Sequence, residues 1–208
     1  MTSTRQKQYD KVYMQMALAI AKLSYAYRNK VGCIIVSKNG QVISQGFNGT
    51  PTGYDNCCEN AQCTCKNPYC TYSHKSISET LSPGFCTQPI LGKGACKHLN
   101  LITKHEVLHA ESNAISKCAK WISSTEDATL YVTLSPCFEC SKIIIQAGIT
   151  RVCYKDEYRD TSGIDFLKKN GIIVERIEIY KEGANLIAPL YCFYSFDKGP
   201  FLTPYTPT

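Results

Sequence analysis

The sequence has no run of about 18 apolar residues, so nothing in it reads as a membrane-spanning helix. It also lacks the basic-then-apolar start of a secretory signal. Met1-Thr-Ser-Thr-Arg-Gln-Lys has no such apolar stretch behind it, and a cytoplasmic protein is expected. No long Lys/Arg run is present, and the formal charge of +6 suits an anionic ligand without demanding a polynucleotide. No internal repeat is visible. Thirteen cysteines would suggest a disulfide scaffold in a short secreted chain. Here the count is odd and the chain has 208 residues, which favours reduced, metal-binding thiols. That length fits one domain, 1–208, with a sizeable core and room for an insertion.

What is present is concentrated in two stretches, His109-Ala110-Glu111 and Pro136-Cys137-Phe138-Glu139-Cys140, separated by one apolar segment over 128–134. A catalytic zinc typically takes three protein ligands and leaves a fourth position for water. His109, Cys137 and Cys140 supply three such ligands, and Glu111 is left over as an acid/base group. Ala110, Ala114, Ile115, Cys118, Ala119 and Ile122 recur at helical spacing, which predicts a buried helix over 109–121. Residues two apart lie on nearly opposite sides of a helix, so His109 and Glu111 can flank one atom only off its first turn. Cys137 and Cys140 share a face at the start of a second helix, 137–147, with Pro136 suited to its beginning. Two helix N-termini then aim their positive ends at one point, which favours thiolates. Alone, a C-x-x-C is as readily a redox pair or half a structural zinc site as part of a catalytic one, and H-A-E says almost nothing. Together and in this order they point to metal-assisted chemistry.

Around these stretches, Val12, Tyr13, Met16, Ala17, Ile20, Ala21 and Leu23 predict an amphipathic first helix over 8–27, with those residues facing the core. A nearly continuous apolar run, 31–36, reads as a buried strand, and Lys38-Asn39-Gly40 as a hairpin turn into a second strand, 41–46. Strands are expected at 128–134, 151–154 and 172–179, with a short helix over 164–170. Alternating strands and helices predict a largely parallel sheet covered on both faces, with the first two strands antiparallel. Residues 183–208 mix prolines with aromatics, and read either as a tail packed on its own subunit or as a subunit contact.

H-x-E followed by P-C-x-x-C resembles the signature of zinc nucleobase deaminases. With Gly46-Phe47-Asn48-Gly49-Thr50-Pro51, Cys57-Cys58-Glu59 and Thr133-Leu134-Ser135-Pro136-Cys137, the chain resembles the deoxycytidylate (dCMP) deaminases, bacteriophage members above all. The resemblance covers about 31–49 and 108–179, and Phe47 replaces the usual Tyr of G-Y-N-G. It implies a cytidine deaminase-like three-layer α/β/α sandwich with a five-stranded mixed sheet. It further implies zinc on His109, Cys137 and Cys140, Glu111 as proton shuttle, and hydrolysis of dCMP to dUMP and ammonia, which feeds dTMP synthesis. By the same resemblance the backbone at Ala110 adjoins the base, Asn48 the sugar and Tyr158 the nucleotide, with Ser135 also in the substrate site. Arg28 and Lys30, just before the first strand, are the candidates for the 5′-phosphate. Family members are commonly hexamers activated by dCTP and inhibited by dTTP, with Mg²⁺ on the triphosphate, and some viral relatives also accept dCTP as substrate. Gly46, Asn48 and Gly49 match the regulatory loop; Lys117 and Lys120 stand at positions linked to regulation but differ in residue type.

The segment 57–105 is crowded with Cys and His and rich in Gly, Pro, Ser and Thr, and metal can replace the apolar core it lacks. Cys58 and Cys63 resemble the start of a second, structural zinc site. Ala26 stands where relatives draw a ligand from the end of the first helix, which leaves Cys65, Cys70, His98 or His105 to complete the set. Two rival readings are a deaminase acting on a base within RNA or DNA and a zinc-ribbon nucleic-acid-binding module. The first would need an extended basic surface, and the second leaves Glu111 without a task.

Overall fold

The computed structural model describes residues 4–63 and 99–179. In chain order the elements are α1 (Thr4–Ala21), β1 (Gly32–Val36), β2 (Val42–Phe47), β3 (Glu59–Cys63), β4 (Leu99–Thr103), α2 (Ala110–Lys120), β5 (Thr129–Leu134), α3 (Phe138–Gln146), β6 (Arg151–Asp156), α4 (Ser162–Lys169) and β7 (Ile173–Arg176). Five strands form one sheet in the order β2-β1-β5-β6-β7. β1 is antiparallel to both its neighbours, while β5–β6 and β6–β7 are parallel. The sheet is therefore mixed, as the resemblance implies, with two of its four pairings parallel where the strand–helix alternation predicts a largely parallel sheet. The cause is the β1–β2 hairpin: it reverses the chain, so the α2 crossover joins β2 to β5, which runs the same way, with β1 lying between them.

Period-two alternation along β1 sorts its apolar run between two layers. Cys33 and Ile35 face a core shared with Ala110, Ala114 and Cys118 of α2, Ile144 of α3 and Leu167 of α4. Ile34 and Val36 face the opposite way, onto Met14 and Ala17 of α1 and Tyr131 of β5. This is the three-layer α/β/α sandwich, with α1 the one described helix on one face and α2, α3 and α4 on the other. Gly32 and Gly46 let helices sit directly on strand backbone. A Cβ on Gly32 would lie 2.1 Å from the Ala17 carbonyl oxygen, and one on Gly46 would lie 2.3 Å from that of Ala110.

The first helix differs from expectation at both ends and in its face. It is already helical at Thr4, where polar residues of good helix propensity extend it, and stops at Ala21, six residues before the predicted end. The Ser24 hydroxyl donates to the Asn48 carbonyl oxygen and accepts from the Ala26 N–H, which turns the chain away from the helix. The buried stripe is Asp10, Met14, Ala17 and Ala21; Val12, Met16 and Leu23, assigned to the core from their chemistry, are exposed.

Asp10 could be read as a solvent residue, yet it is 2% exposed. It accepts two hydrogen bonds from the Arg151 guanidinium, each of 2.8 Å, and one of 2.7 Å from the Tyr131 hydroxyl. Arg151 also pairs with Glu175 on β7. Burial pushes the Asp10 carboxyl up, but hydrogen bonds from Arg151, Tyr131 and Gln6 outweigh it, leaving the group below its ordinary 3.8. A depressed carboxyl stabilises the fold fully above 3.8 and loses that contribution as pH falls through the lowered value. Asp10→Ala is expected to cost about 3–5 kcal/mol at pH 7, because it strands a buried guanidinium. Urea unfolding of both proteins should show this gap shrinking below pH 4; a gap unchanged between pH 7 and pH 3 would contradict the pairing.

Candidate metal centre and nucleotide pocket

His109 and Cys137 occupy the N-cap positions of α2 and α3, both with extended backbone (φ −72°, ψ 157° and φ −73°, ψ 169°). Neither side chain caps its own helix, so both are released toward the space between the two helices. The first intrahelical bonds run from the Asn113 N–H to the His109 carbonyl and from the Ser141 N–H to the Cys137 carbonyl. Cys140, one turn into α3, completes the group. It is the one His/Cys/Asp/Glu cluster among the described residues whose ligand atoms gather in this way, all within 4.8 Å of one another.

The separations fit a metal. His109 Nδ1 lies 3.5 Å from Cys137 Sγ and 3.3 Å from Cys140 Sγ. Tetrahedral zinc with ordinary Zn–N and Zn–S bonds would hold nitrogen and sulfur about 3.6 Å apart. The protonation states agree with the donor set. A hydrogen bond from Cys140, with a further one from His109, brings the Cys137 thiol down to about 4, while the same Cys137–Cys140 contact and burial push Cys140 up. His109 is raised, chiefly by its contact with the Cys137 sulfur. Without an ion the three groups share protons, and a cation would displace them.

Glu111 follows two residues after His109, in the first turn of α2, and is 4% exposed. Burial lifts its carboxyl to about 7, against hydrogen bonds from its own backbone N–H and from Cys140. It lines a pocket of about 350 Å³ together with His109, Ala110 and Cys137. The expected residues Arg28, Asn48, Ser135 and Tyr158 line the same pocket, while Lys30 is exposed and is not part of its wall. Asn29, Glu59, Thr103, Glu157 and Arg159 also line it and were missed from sequence. Arg159 follows the singled-out Tyr158 directly and lies over its ring, a signal that was available.

Ser135 acts on the pocket wall through its hydroxyl, which accepts from the Tyr158 N–H at 2.8 Å and so fixes the loop after β6. Asn48 uses its amide within the chain: Oδ1 accepts from the Val31 N–H and Nδ2 donates to the Asn29 carbonyl, each at 2.8 Å. Gly46 packs on α2, and Gly49 pairs with Leu108 through two backbone bonds, which ties this loop to the beginning of α2. Lys117 donates to the Gln45 carbonyl at 3.1 Å and lies over the Phe47 ring.

The Cys137 turn is braced from outside. The Ser141 hydroxyl is shared between the Cys137 and Gly163 carbonyls, at 2.9 and 3.1 Å. Gly163 packs so closely that a Cβ there would lie 2.2 Å from the Pro136 carbonyl oxygen and 2.8 Å from the Cys137 carbonyl carbon. Gly163→Ala is expected to destabilise the protein by about 1–3 kcal/mol, since the obstructing atoms are backbone. It should also lower metal affinity, because relief requires moving Cys137. Thermal melting and a competitive chelator titration would measure both, and unchanged affinity would uncouple the brace from the site.

Of the structural-metal candidates, Cys58 is fully buried beside Ala26 and Val107, and His105 is exposed. Cys63 ends β3, and Cys65, Cys70 and His98 lie outside the described residues.

Residues 7–156 match the model of the cytidine and deoxycytidylate deaminase zinc-binding region. The chain belongs to this deaminase family. It is 36% identical over 177 residues to the deoxycytidylate deaminase of Enterobacteria phage T4, covering 83% of this chain and 90% of that one. It is 31% identical over 151 residues to the deoxycytidylate deaminase of Mycobacterium phage D29, covering 72% and 95%. The crystal structure of dCMP deaminase from cyanophage S-TIM5, in complex with dCMP and dUMP, matches with a TM-score of 0.57 at 35% identity, over 85% of this chain and 99% of that one. The chain is thus an enzyme, a hydrolytic deaminase, and the cytidine deaminase-like fold expected from the motifs is the fold observed. No described helix is long and apolar enough to cross a membrane.

Proposed function

We propose that this deaminase converts dCMP and water to dUMP and ammonia. The observation that carries the reading is a buried carboxyl, Glu111, beside a His/Cys/Cys metal cluster at the wall of a nucleotide-sized pocket. The likeness to a cyanophage enzyme crystallised with dCMP and dUMP supports the choice of nucleotide.

His109, Cys137 and Cys140 would hold zinc. When bound, the ion supplies the Lewis acidity that makes water a nucleophile near neutral pH. Glu111 takes a proton from the attacking water and passes it to the ring nitrogen N3 as oxygen adds to C4. It then takes the proton of the hydroxyl now on C4 and delivers it to the departing amine, so that ammonia leaves and a carbonyl remains at C4. Being buried, Glu111 holds and releases these protons without exchange with bulk water. Ala110, at the start of α2, borders the base, and Tyr158, fixed through Ser135, borders the nucleotide. Arg28 is the pocket-lining cation nearest the first strand, and we assign it to the 5′-phosphate, with Arg159 as a second cation on the pocket wall.

The test is a panel of dCMP, CMP, dCTP and single-stranded oligonucleotides, each with and without dCTP and dTTP as effectors. Deamination of dCMP in preference to the rest is expected, and an enzyme inactive on every free nucleotide would refute the reading. We extend the proposal to a single cytoplasmic domain over 1–208 with a structural metal in 57–105. We also extend it to a homo-oligomer controlled by Mg²⁺-bound dCTP and dTTP near Gly46–Gly49, since Gly46, Asn48 and Gly49 match the regulatory loop of the family.

A further inference from the structure

Glu59 opens β3 and is 2% exposed. Its Oε1 accepts hydrogen bonds from the backbone N–H groups of Tyr27 and Arg28, at 3.0 and 3.3 Å. Its Oε2 is buried and has no hydrogen-bond partner, the one such side-chain atom among the described residues. Leaving a buried polar atom unmatched costs about 1–3 kcal/mol, and more for a charged group. Glu59 also lines the nucleotide pocket. A carboxyl held by two backbone N–H groups, with its second oxygen unmatched, is a fixed acceptor for a donor that arrives with the ligand.

The chemistry of dCMP identifies that donor, and this step rests on the substrate reading above. The molecule carries two hydrogen-bond donors, the 4-amino group and the 3′-hydroxyl. The amino group must lie at Glu111 and the metal cluster, where it departs. The phosphate is an anion and would be repelled by a carboxylate. The sugar hydroxyl is what is left.

We propose that Glu59 is a specificity residue whose Oε2 accepts a hydrogen bond from the 3′-hydroxyl of the substrate, and that it thereby selects a free nucleotide over a nucleotide within a strand. In a polynucleotide the 3′-oxygen is esterified: it brings no proton and carries a neighbouring negative charge. Glu59 thus turns away the strand substrate at the same point where it reads the mononucleotide. Sites built to bond a substrate hydroxyl reject analogues without it strongly, because their own polar group stays unmatched.

The test compares dCMP with 2′,3′-dideoxycytidine 5′-monophosphate and with deoxycytidine 3′,5′-bisphosphate on the zinc-loaded full chain. The wild-type enzyme is expected to show kcat/KM at least 100-fold lower for both analogues than for dCMP. Glu59→Gln keeps an acceptor for Tyr27 and Arg28 but places an N–H where Oε2 stood. It should lose at least tenfold on dCMP, change little on the dideoxy analogue and recover part of the activity on the bisphosphate. A wild-type enzyme that deaminates dCMP and the dideoxy analogue within threefold of each other overturns the role of Glu59 alone, whatever the variant does. A discrimination ratio unchanged in a folded Glu59→Gln also overturns it. A wild-type enzyme without activity on dCMP overturns the substrate reading and this one together.

Discussion

Glu111→Ala is expected to retain its zinc and to lose about 10²–10⁴-fold in kcat, the usual contribution of one positioned acid–base group. Alanine suits the first turn of α2, so the helix and its N-cap His109 should persist. The loss should fall on kcat more than on KM, since the carboxyl acts on protons in flight rather than on the resting nucleotide. The pH profile gives a second readout. Burial raises Glu111 to about 7 in the metal-free chain, and a nearby cation must pull that value down. The working form is the carboxylate, so the acid limb of kcat/KM should fall below pH 7 in the zinc-loaded enzyme. Deamination by Glu111→Ala at the wild-type rate, with zinc in place, would remove the proton shuttle.

Cys137→Ala should behave differently, losing both metal and turnover. The ligands that remain, His109 and Cys140, cannot make a three-ligand site. Elemental analysis should show one zinc fewer per chain than wild type, and the loss of kcat should exceed that of Glu111→Ala. Because a ligand that binds only the folded state stabilises it by mass action, the wild-type melting temperature should rise with free zinc. That of Cys137→Ala should not respond to metal at this site. Retention of the full zinc complement by the variant would show that Cys137 is not a ligand.

These two residues could be read from sequence for a simple reason. Their chemistry depends on residue types at short spacing, and the helices that carry them have strong periodicity on either side. The expected spans 109–121 and 137–147 coincide with the observed N-cap and C-cap residues of α2 and α3. Asp10 was illegible because its burial depends on Arg151, a partner 141 positions away that brings compensating charge. With Asp10 and Met14 inside, the buried stripe keeps Ala17 and Ala21 of the expected face but leaves Val12, Met16 and Leu23 in solvent. Glu59 was hidden for a related reason: what it does is decided by two backbone N–H groups from a turn 31 and 32 residues earlier. β3 and β4 pair from either side, in sequence, of the long Cys/His segment, where composition rather than periodicity dominates. The antiparallel β1–β5 pairing follows from topology, which local patterning does not encode.

His109 and Cys137 stand at the heads of their helices without capping them, so an ion held by them would serve as a rivet as well as a reagent. Bound there, it would pin the two helix openings to one another and, through the Ser141–Gly163 link, to α4 beyond. Stripping it should let the amides of those opening turns exchange with solvent first, well ahead of the sheet beneath them. Enzyme short of metal would then be folded in its middle and frayed where it works.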